Sequence, residues 1–240
     1  MIEVRSLTKT FGGRPVLRDL DFFAFQGEFV ALLGPNGSGK TTFLRILASL
    51  SRPTFGQVRI AGHVLPAQAA GVRRRLGFVS HQPLLYGDLS AEENLRFFGR
   101  MYGVEGLRER VQDALTQVGL LARRRDLVRG FSRGMQQRLA IARALLHHPD
   151  LLLFDEPHTG LDPEASAVLD RLLLEVAAQG HTILLTSHDL SRASALAGRL
   201  DILSGGKIAG SAKREEISPA DFPRYYESIL KVREEPEITE

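Results

Sequence analysis

The sequence predicts an α/β fold: a parallel sheet covered by helices on both faces, with a helical subdomain inserted partway along. Three observations carry that reading. A buried-strand run at residues 28–33 leads straight into a glycine-rich loop and then into a helical run at 42–48. From Leu151 onward strand-like and helix-like segments alternate, as they do where crossover helices join parallel strands. Between Ser90 and His148 the alternation stops and the apolar spacing becomes helical.

In chain order, residues 2–7 and 15–25 read as extended segments separated by Gly12 and Gly13. After the glycine-rich loop, the turn-forming residues 53–56 precede a strand at 57–60, and 76–80 reads as a further strand. Ser90 is an N-cap for a helix over 91–98. Helical spacing continues over 107–118 and 135–146 until Pro149 and Asp150 end it. Strand 151–154, helix 163–178, strand 182–186, helix 189–197 and strand 200–203 follow. Phe222, Tyr225, Tyr226, Ile229 and Leu230 recur at helical spacing ahead of an acidic end, 234–240. That end reads as an amphipathic helix packed on the core, or one docking a partner, with a frayed tail.

Bulk properties narrow the class. A chain of 240 residues can bury one sizeable core with a smaller appended subdomain. With 43% hydrophobic and 25% charged residues, the composition is that of a soluble globular protein. No apolar run approaches the ~20 residues that cross a bilayer, and the N-terminus lacks the basic-then-apolar layout of a signal peptide. Cysteine is absent, which excludes disulfides and thiolate metal sites. A cytosolic protein is expected. The formal charge of +3 is small, and its densest clusters are Arg73–Arg75 and Arg123–Arg125. Neither is interleaved with aromatic platforms, so solvated faces, an anionic membrane surface or a partner suit them better than nucleic acid.

The loop at 34–42 reads Gly34, Pro35, Asn36, Gly37, Ser38, Gly39, Lys40, Thr41, Thr42, and Gly34, Gly39, Lys40 and Thr41 fill the G-x-x-x-x-G-K-[ST] pattern. Its glycines let backbone N–H groups curl inward around phosphate oxygens. The helix that follows adds its positive dipole end, Lys40 a full charge, and Thr41 a hydroxyl ligand for Mg²⁺. A second run, Leu151, Leu152, Leu153, Phe154, Asp155, Glu156, delivers two carboxylates at the C-terminal end of a buried strand, where parallel sheets bind ligands. Asp155 suits Mg²⁺, directly or through water. Glu156 then faces an attacking water, as its general base or as the group that orients it.

Taken in this order, the motifs over residues 2–212 resemble the ATP-binding-cassette (ABC) ATPases. The resemblance implies a P-loop NTPase (RecA-like) core at 1–87 and 149–212, with a small N-terminal antiparallel β subdomain. It also implies a helical signature subdomain at 88–148 and a C-terminal helix and tail at 213–240, all in a single ABC domain. The signature segment corresponds to Phe131, Ser132, Arg133, Gly134, Met135, Gln136, and departs from the family at Arg133, where glycine is commoner, and at Met135, where glutamine is. By resemblance, Ser132 and Gly134 of one subunit complete the ATP site of another in a head-to-tail dimer. Gln82 matches the glutamine that reports γ-phosphate and Mg²⁺ to the helical subdomain, and Asp162 the loop crossing the dimer interface. His188 matches the switch histidine, Phe11 the aromatic that stacks on adenine, and Val16 packs beside the ribose or base. The implied cofactors are ATP and Mg²⁺.

What the resemblance implies about biological role follows from the absence of membrane spans. Family members of this kind act as paired motor subunits under integral membrane permease subunits, peripheral to the cytoplasmic face of the membrane. The groove for that partner is expected near 83–86 and 94–98. Residues 80–95, 131–138 and 155–160 most resemble the haem-exporter ATP-binding subunit of cytochrome c maturation, with no direct haem contact expected from this chain. Multidrug or polysaccharide exporter ATPases are the alternative, and a soluble ATPase of DNA repair or translation is the third reading. His81, His147, His148 and His158 match no demanded role and read as structural or solvated.

Overall fold

The computed structural model describes residues 1–218 and 220–231. Strands β1 (Ile2–Phe11), β2 (Arg14–Ala24), β3 (Phe29–Leu33) and the helix α1 (Lys40–Leu47) open the chain. Then come β4 (Phe55–Ile60), β5 (His63–Leu65), α2 (Ala69–Arg74) and β6 (Leu76–Val79). The helical insertion comprises α3 (Ala91–Tyr102), α4 (Leu107–Gln117) and α5 (Arg133–Leu145). The remainder alternates: β7 (Leu151–Asp155), α6 (Pro163–Ala178), β8 (Thr182–Ser187), α7 (Leu190–Leu196), β9 (Arg199–Ser204), β10 (Lys207–Lys213) and α8 (Phe222–Lys231).

The larger sheet has the order β10-β9-β3-β8-β7-β6, parallel from β9 to β6 with β10 antiparallel at its edge. Every residue of β3, β7 and β8 is buried, which is why the runs 29–33, 151–154 and 183–185 within them are apolar rather than alternating. Successive side chains still part to opposite faces. Val30 and Leu32 join one core with Phe43, Leu44 and Leu47 of α1 and the inner face of the β2-β1-β4-β5 antiparallel sheet. Ala31 and Leu33 join the other, with Leu139, Ile141 and Ala142 of α5 and Leu169 and Leu173 of α6. The ligand-facing loops after β3, β7 and β8 therefore emerge side by side from a sheet pinned on both faces.

The predicted elements are found with shifted ends. Helix α5 starts at Arg133 rather than Met135 because Ser132 caps it, accepting from the Met135 N–H at 3.3 Å. Ser90 and Glu93 form a reciprocal capping box at the start of α3. Three elements had no counterpart in the sequence reading: β5, α2 and the antiparallel edge strand β10. Helix α8 docks through Phe222, which is buried, and through the Tyr225 hydroxyl, which donates to the Ser211 carbonyl at 3.1 Å. The acidic tail at 234–240 lies outside the described residues.

Candidate functional site

The loop between β3 and α1 curls because its backbone must. Gly39 sits at φ +109° as the N-cap of α1, and a Cβ there would lie 2.7 Å from Leu17 Cδ2. No side chain caps this helix, so its first-turn N–H groups stay available to an anion. Lys40 Nζ folds back to donate to the carbonyls of Gly34 (2.7 Å) and Pro35 (3.1 Å). Burial pulls the Lys40 ammonium below its ordinary pKa, while Glu156 and Asp155 oppose that shift. Ser38 Oγ is buried without a hydrogen-bond partner among the described residues. A buried orphan hydroxyl and an ammonium held only by carbonyls fit a phosphate.

Asp155, at the end of β7 and 2% exposed, is the hub. Its Oδ1 accepts from the Thr41 hydroxyl at 3.0 Å and from the Thr186 hydroxyl at 2.9 Å. Thr41 and Asp155 together offer the hard oxygen ligands that Mg²⁺ takes alongside water and phosphate. Glu156 follows at φ +48°, a left-handed conformation that side chains avoid. Its N–H donates to Thr186 Oγ1 (3.0 Å), and its Oε2 accepts from Thr159 Oγ1 (3.2 Å). His188 Nδ1, just past β8, stands 3.4 Å from the same Oε2. Glu156 lines both a cavity of about 350 Å³ shared with Val16, Asn36 and Lys40 and one of about 240 Å³ shared with His158, His188 and Arg192.

The structure thus brings Gly37, Gly39, Lys40, Thr41, Thr42, Val16, Asp155, Glu156 and His188 together. Phe11 lies in the same β1–β2 hairpin as Val16, half-exposed, with Lys9 Nζ 4.7 Å above its ring. Gln82 is exposed on the loop after β6. Ser132, Gly134 and Asp162 line neither of the two cavities that Glu156 lines within one chain. Ser132 caps α5, and Asp162 caps α6, accepting from the Ala165 N–H at 2.7 Å. Arg133 is exposed, and a Cβ on Gly160 would sit 2.9 Å from its guanidinium carbon, which places the guanidinium over that turn.

Thr186, which bonds both Asp155 and Glu156, is a candidate site residue the sequence reading did not single out. Its signal was faint: a hydroxyl at the end of a buried strand, opposite Asp155 in the β7–β8 register. His158, read as structural or solvated, is largely buried and hydrogen-bonds Asp170 Oδ1 through Nε2 at 2.8 Å. Arg192 Nη1 donates to the other Asp170 oxygen at 2.8 Å. Burial holds the His158 imidazole below its ordinary pKa, against the pull of Asp170.

Comparison with known proteins agrees with this geometry. Residues 17–159 match the protein-family profile described as ABC transporter. The chain is 40% identical over 219 residues to the Nod factor export ATP-binding protein I of Cupriavidus pinatubonensis, covering 90% of this chain and 67% of that protein. It is 31% identical over 219 residues to the linearmycin resistance ATP-binding protein LnrL of Bacillus subtilis, covering 90% and 70%. Among solved structures, the ATP-binding cassette MJ0796, a dimer in a post-hydrolysis state bound to ADP and Pi, superposes with a TM-score of 0.81 at 29% identity. That match covers 90% of this chain and all of the other.

Proposed function

This chain belongs to the ABC transporter family as an ATPase subunit that uses ATP and Mg²⁺, and on that premise we propose that it powers an exporter. The observation that carries the catalytic part is the single Asp155 oxygen shared by the Thr41 and Thr186 hydroxyls, one peptide before the Glu156–His188 pair. Mg²⁺, when bound, neutralises charge gathering on the phosphates. Thr41 and Asp155 hold that ion, with Gln82 joining them from the loop after β6. Lys40, Ser38 and the start of α1 hold the phosphates. Glu156 orients or deprotonates the attacking water, and His188 donates to the γ-phosphate while keeping Glu156 in place. Phe11 stacks on adenine beside Val16.

Two copies work as a pair. Ser132 and Gly134, at the N-terminus of α5, meet the loop 34–42 of the other copy, and Asp162 lies at their boundary. Support comes from the dimeric state of MJ0796 and from the position of these residues outside their own chain's cavity.

Export, rather than haem handling, is the reading the relatives favour, since they are named for Nod factor export and linearmycin resistance. As an ATP-binding subunit of a transporter, the chain works beneath membrane-spanning subunits, on the cytoplasmic face; among its described residues no helix is long and apolar enough to cross a membrane. The surface for them is the groove between core and insertion, lined by Leu50, Phe78, Leu84, Tyr86, Phe98 and Tyr102. Within it Leu50, Leu84 and Tyr86 are each at least half exposed.

The test is Glu156→Gln, measured in the complex with its membrane subunits. Hydrolysis and efflux are both expected to stop while ATP binding is retained. Continued hydrolysis sinks the assignment of Glu156, and efflux without hydrolysis sinks the motor role.

A further inference from the structure

Arg143 lies in the second half of α5, is 8% exposed, and spends its guanidinium on backbone carbonyls rather than on a carboxylate. Nη2 donates to the Phe78 carbonyl at 3.1 Å. Nη1 donates to the carbonyls of Pro83 (2.9 Å) and Leu84 (2.8 Å). The guanidinium carbon sits 5.1 Å from the ring centre of Phe98, on α3.

These acceptors lie on the two limbs of one loop. Phe78 belongs to β6, and the β6–β7 register pairs Val79 with Phe154, so the outgoing limb starts beside Asp155. Pro83 and Leu84 lie on the returning limb, and Gln82 falls between the two. A planar fork with fixed donor directions bridges both limbs at once, which a flexible ammonium does not reproduce.

Two further observations show that the loop is shaped rather than slack. Leu84 is held at φ +52°, a conformation leucine avoids, with its carbonyl bonded to Arg143. Beyond it, the buried Asn94 of α3 donates to the carbonyls of Tyr86 (2.9 Å) and Leu89 (3.3 Å) and accepts from the Tyr86 N–H (2.8 Å). The returning limb is thereby fixed to the helical insertion, while the Gln82 side chain stays exposed at the turn.

We infer that Arg143 is the positioning residue for Gln82: it pinches the base of the loop and so sets where the glutamine stands relative to the end of β7. The inference rests on the role proposed above for Gln82, and the experiment separates the two.

The 240-residue chain is compared as wild type, Arg143→Lys, Gln82→Ala and the double variant. The readouts are kcat, KM for ATP at high and limiting Mg²⁺, and amide hydrogen exchange over residues 80–89. Arg143→Lys is expected to speed exchange in that segment and to lower kcat about tenfold, since small displacements of a catalytic group carry losses of that order. KM for ATP stays within about twofold, because Lys40 and the 34–42 loop carry ground-state binding. In the Gln82→Ala background the same substitution removes no further turnover.

Unchanged exchange overturns the proposal, and so do losses that multiply in the double variant or fall equally on kcat and ATP affinity. Should Arg143→Lys fail to fold, Phe98→Leu withdraws the ring beneath the guanidinium and is read by the same criteria. If Gln82→Ala alone turns over normally, the glutamine's role falls, and the exchange result still decides whether Arg143 pins the loop.

Discussion

Replacing Thr186 with valine exchanges its hydroxyl for a methyl group of similar size, at a position with no solvent exposure. That hydroxyl donates to Asp155 Oδ1 at 2.9 Å and accepts the Glu156 N–H at 3.0 Å. A hydrogen bond to a charged acceptor is worth about 1.5–3 kcal/mol, and an orphaned buried N–H costs about 1–3 kcal/mol. The two overlap, since both relax when Glu156 shifts, so a net loss of about 3 kcal/mol is expected. For a chain of this size that lowers Tm by about 6–12 °C. The kinetic consequence is more specific. Glu156 keeps its left-handed φ only because the chain around it over-determines the conformation, and the Thr186 bond is the nearest restraint. Without it, kcat falls about tenfold, while ATP affinity, set at Lys40, moves less than about twofold. Thr186→Ser, which keeps the hydroxyl, retains most turnover. Thermal melts, steady-state ATPase assays and nucleotide titrations measure all three quantities. A Thr186→Val protein that melts within about 1 °C of wild type and turns over normally refutes the reasoning.

Two other outcomes follow from the packing and the titrating groups. Gly134→Ala places a Cβ 2.8 Å from the Ala165 Cβ, so α5 must lift off α6. A loss of about 1–3 kcal/mol in denaturant melts is expected, with ATP turnover depressed; unchanged stability means the helices have room to separate. Burial lowers the imidazole pKa of His147, which is stacked on Tyr102 at 4.0 Å, and that of His158, which faces Asp170, Arg192 and Asp189. Their folded pKa values lie below the unfolded one, so the unfolded chain takes up protons first. Stability is full above about pH 6.5 and declines as pH falls below it. His147→Gln removes one of these groups and should flatten the decline in Tm between about pH 7 and pH 5.5; equal slopes in the two proteins sink the assignment.

Much of the architecture is visible in the sequence because the central strands are buried on both faces. Such strands read as apolar runs, as β3 and residues 151–154 of β7 do throughout and β8 does over residues 183–185. The loop at 34–42 was legible because its glycines and lysine fall at fixed spacing within one short run of sequence. Short or half-exposed elements were not. Strand β5 has three residues and α2 six, too few for periodicity to register, and β10 is largely part-exposed with Gly210 in its middle. Thr186 matters only through the register that sets β8 against β7, and Arg143 only through carbonyls about sixty residues earlier in the chain. Both signals are contacts between distant segments, which local pattern reading does not contain. Where the family pattern commonly has glycine, Arg133 lies over Gly160 of its own chain, again a contact between separate segments.

That placement of Arg133 bears on how the surfaces of this chain are tied together. Ser132 caps α5, Gly134 lets α5 approach Ala165 near the start of α6, and Asp162 caps α6. The start of the signature helix, the turn at Gly160 and the start of α6 are thus packed as one unit. The turn leads back through Thr159, whose hydroxyl donates to Glu156 Oε2, and Glu156 is bonded in turn to Thr186. A continuous run of contacts therefore links the α5 N-terminus to the Glu156 carboxylate. If a second copy sits against Ser132 and Asp162, its arrival presses on one end of a contact path whose other end is this chain's own Glu156. Packed side chains and hydrogen bonds of this kind can carry coupling between sites, and a double-mutant cycle between Gly134 and Thr159 measures it.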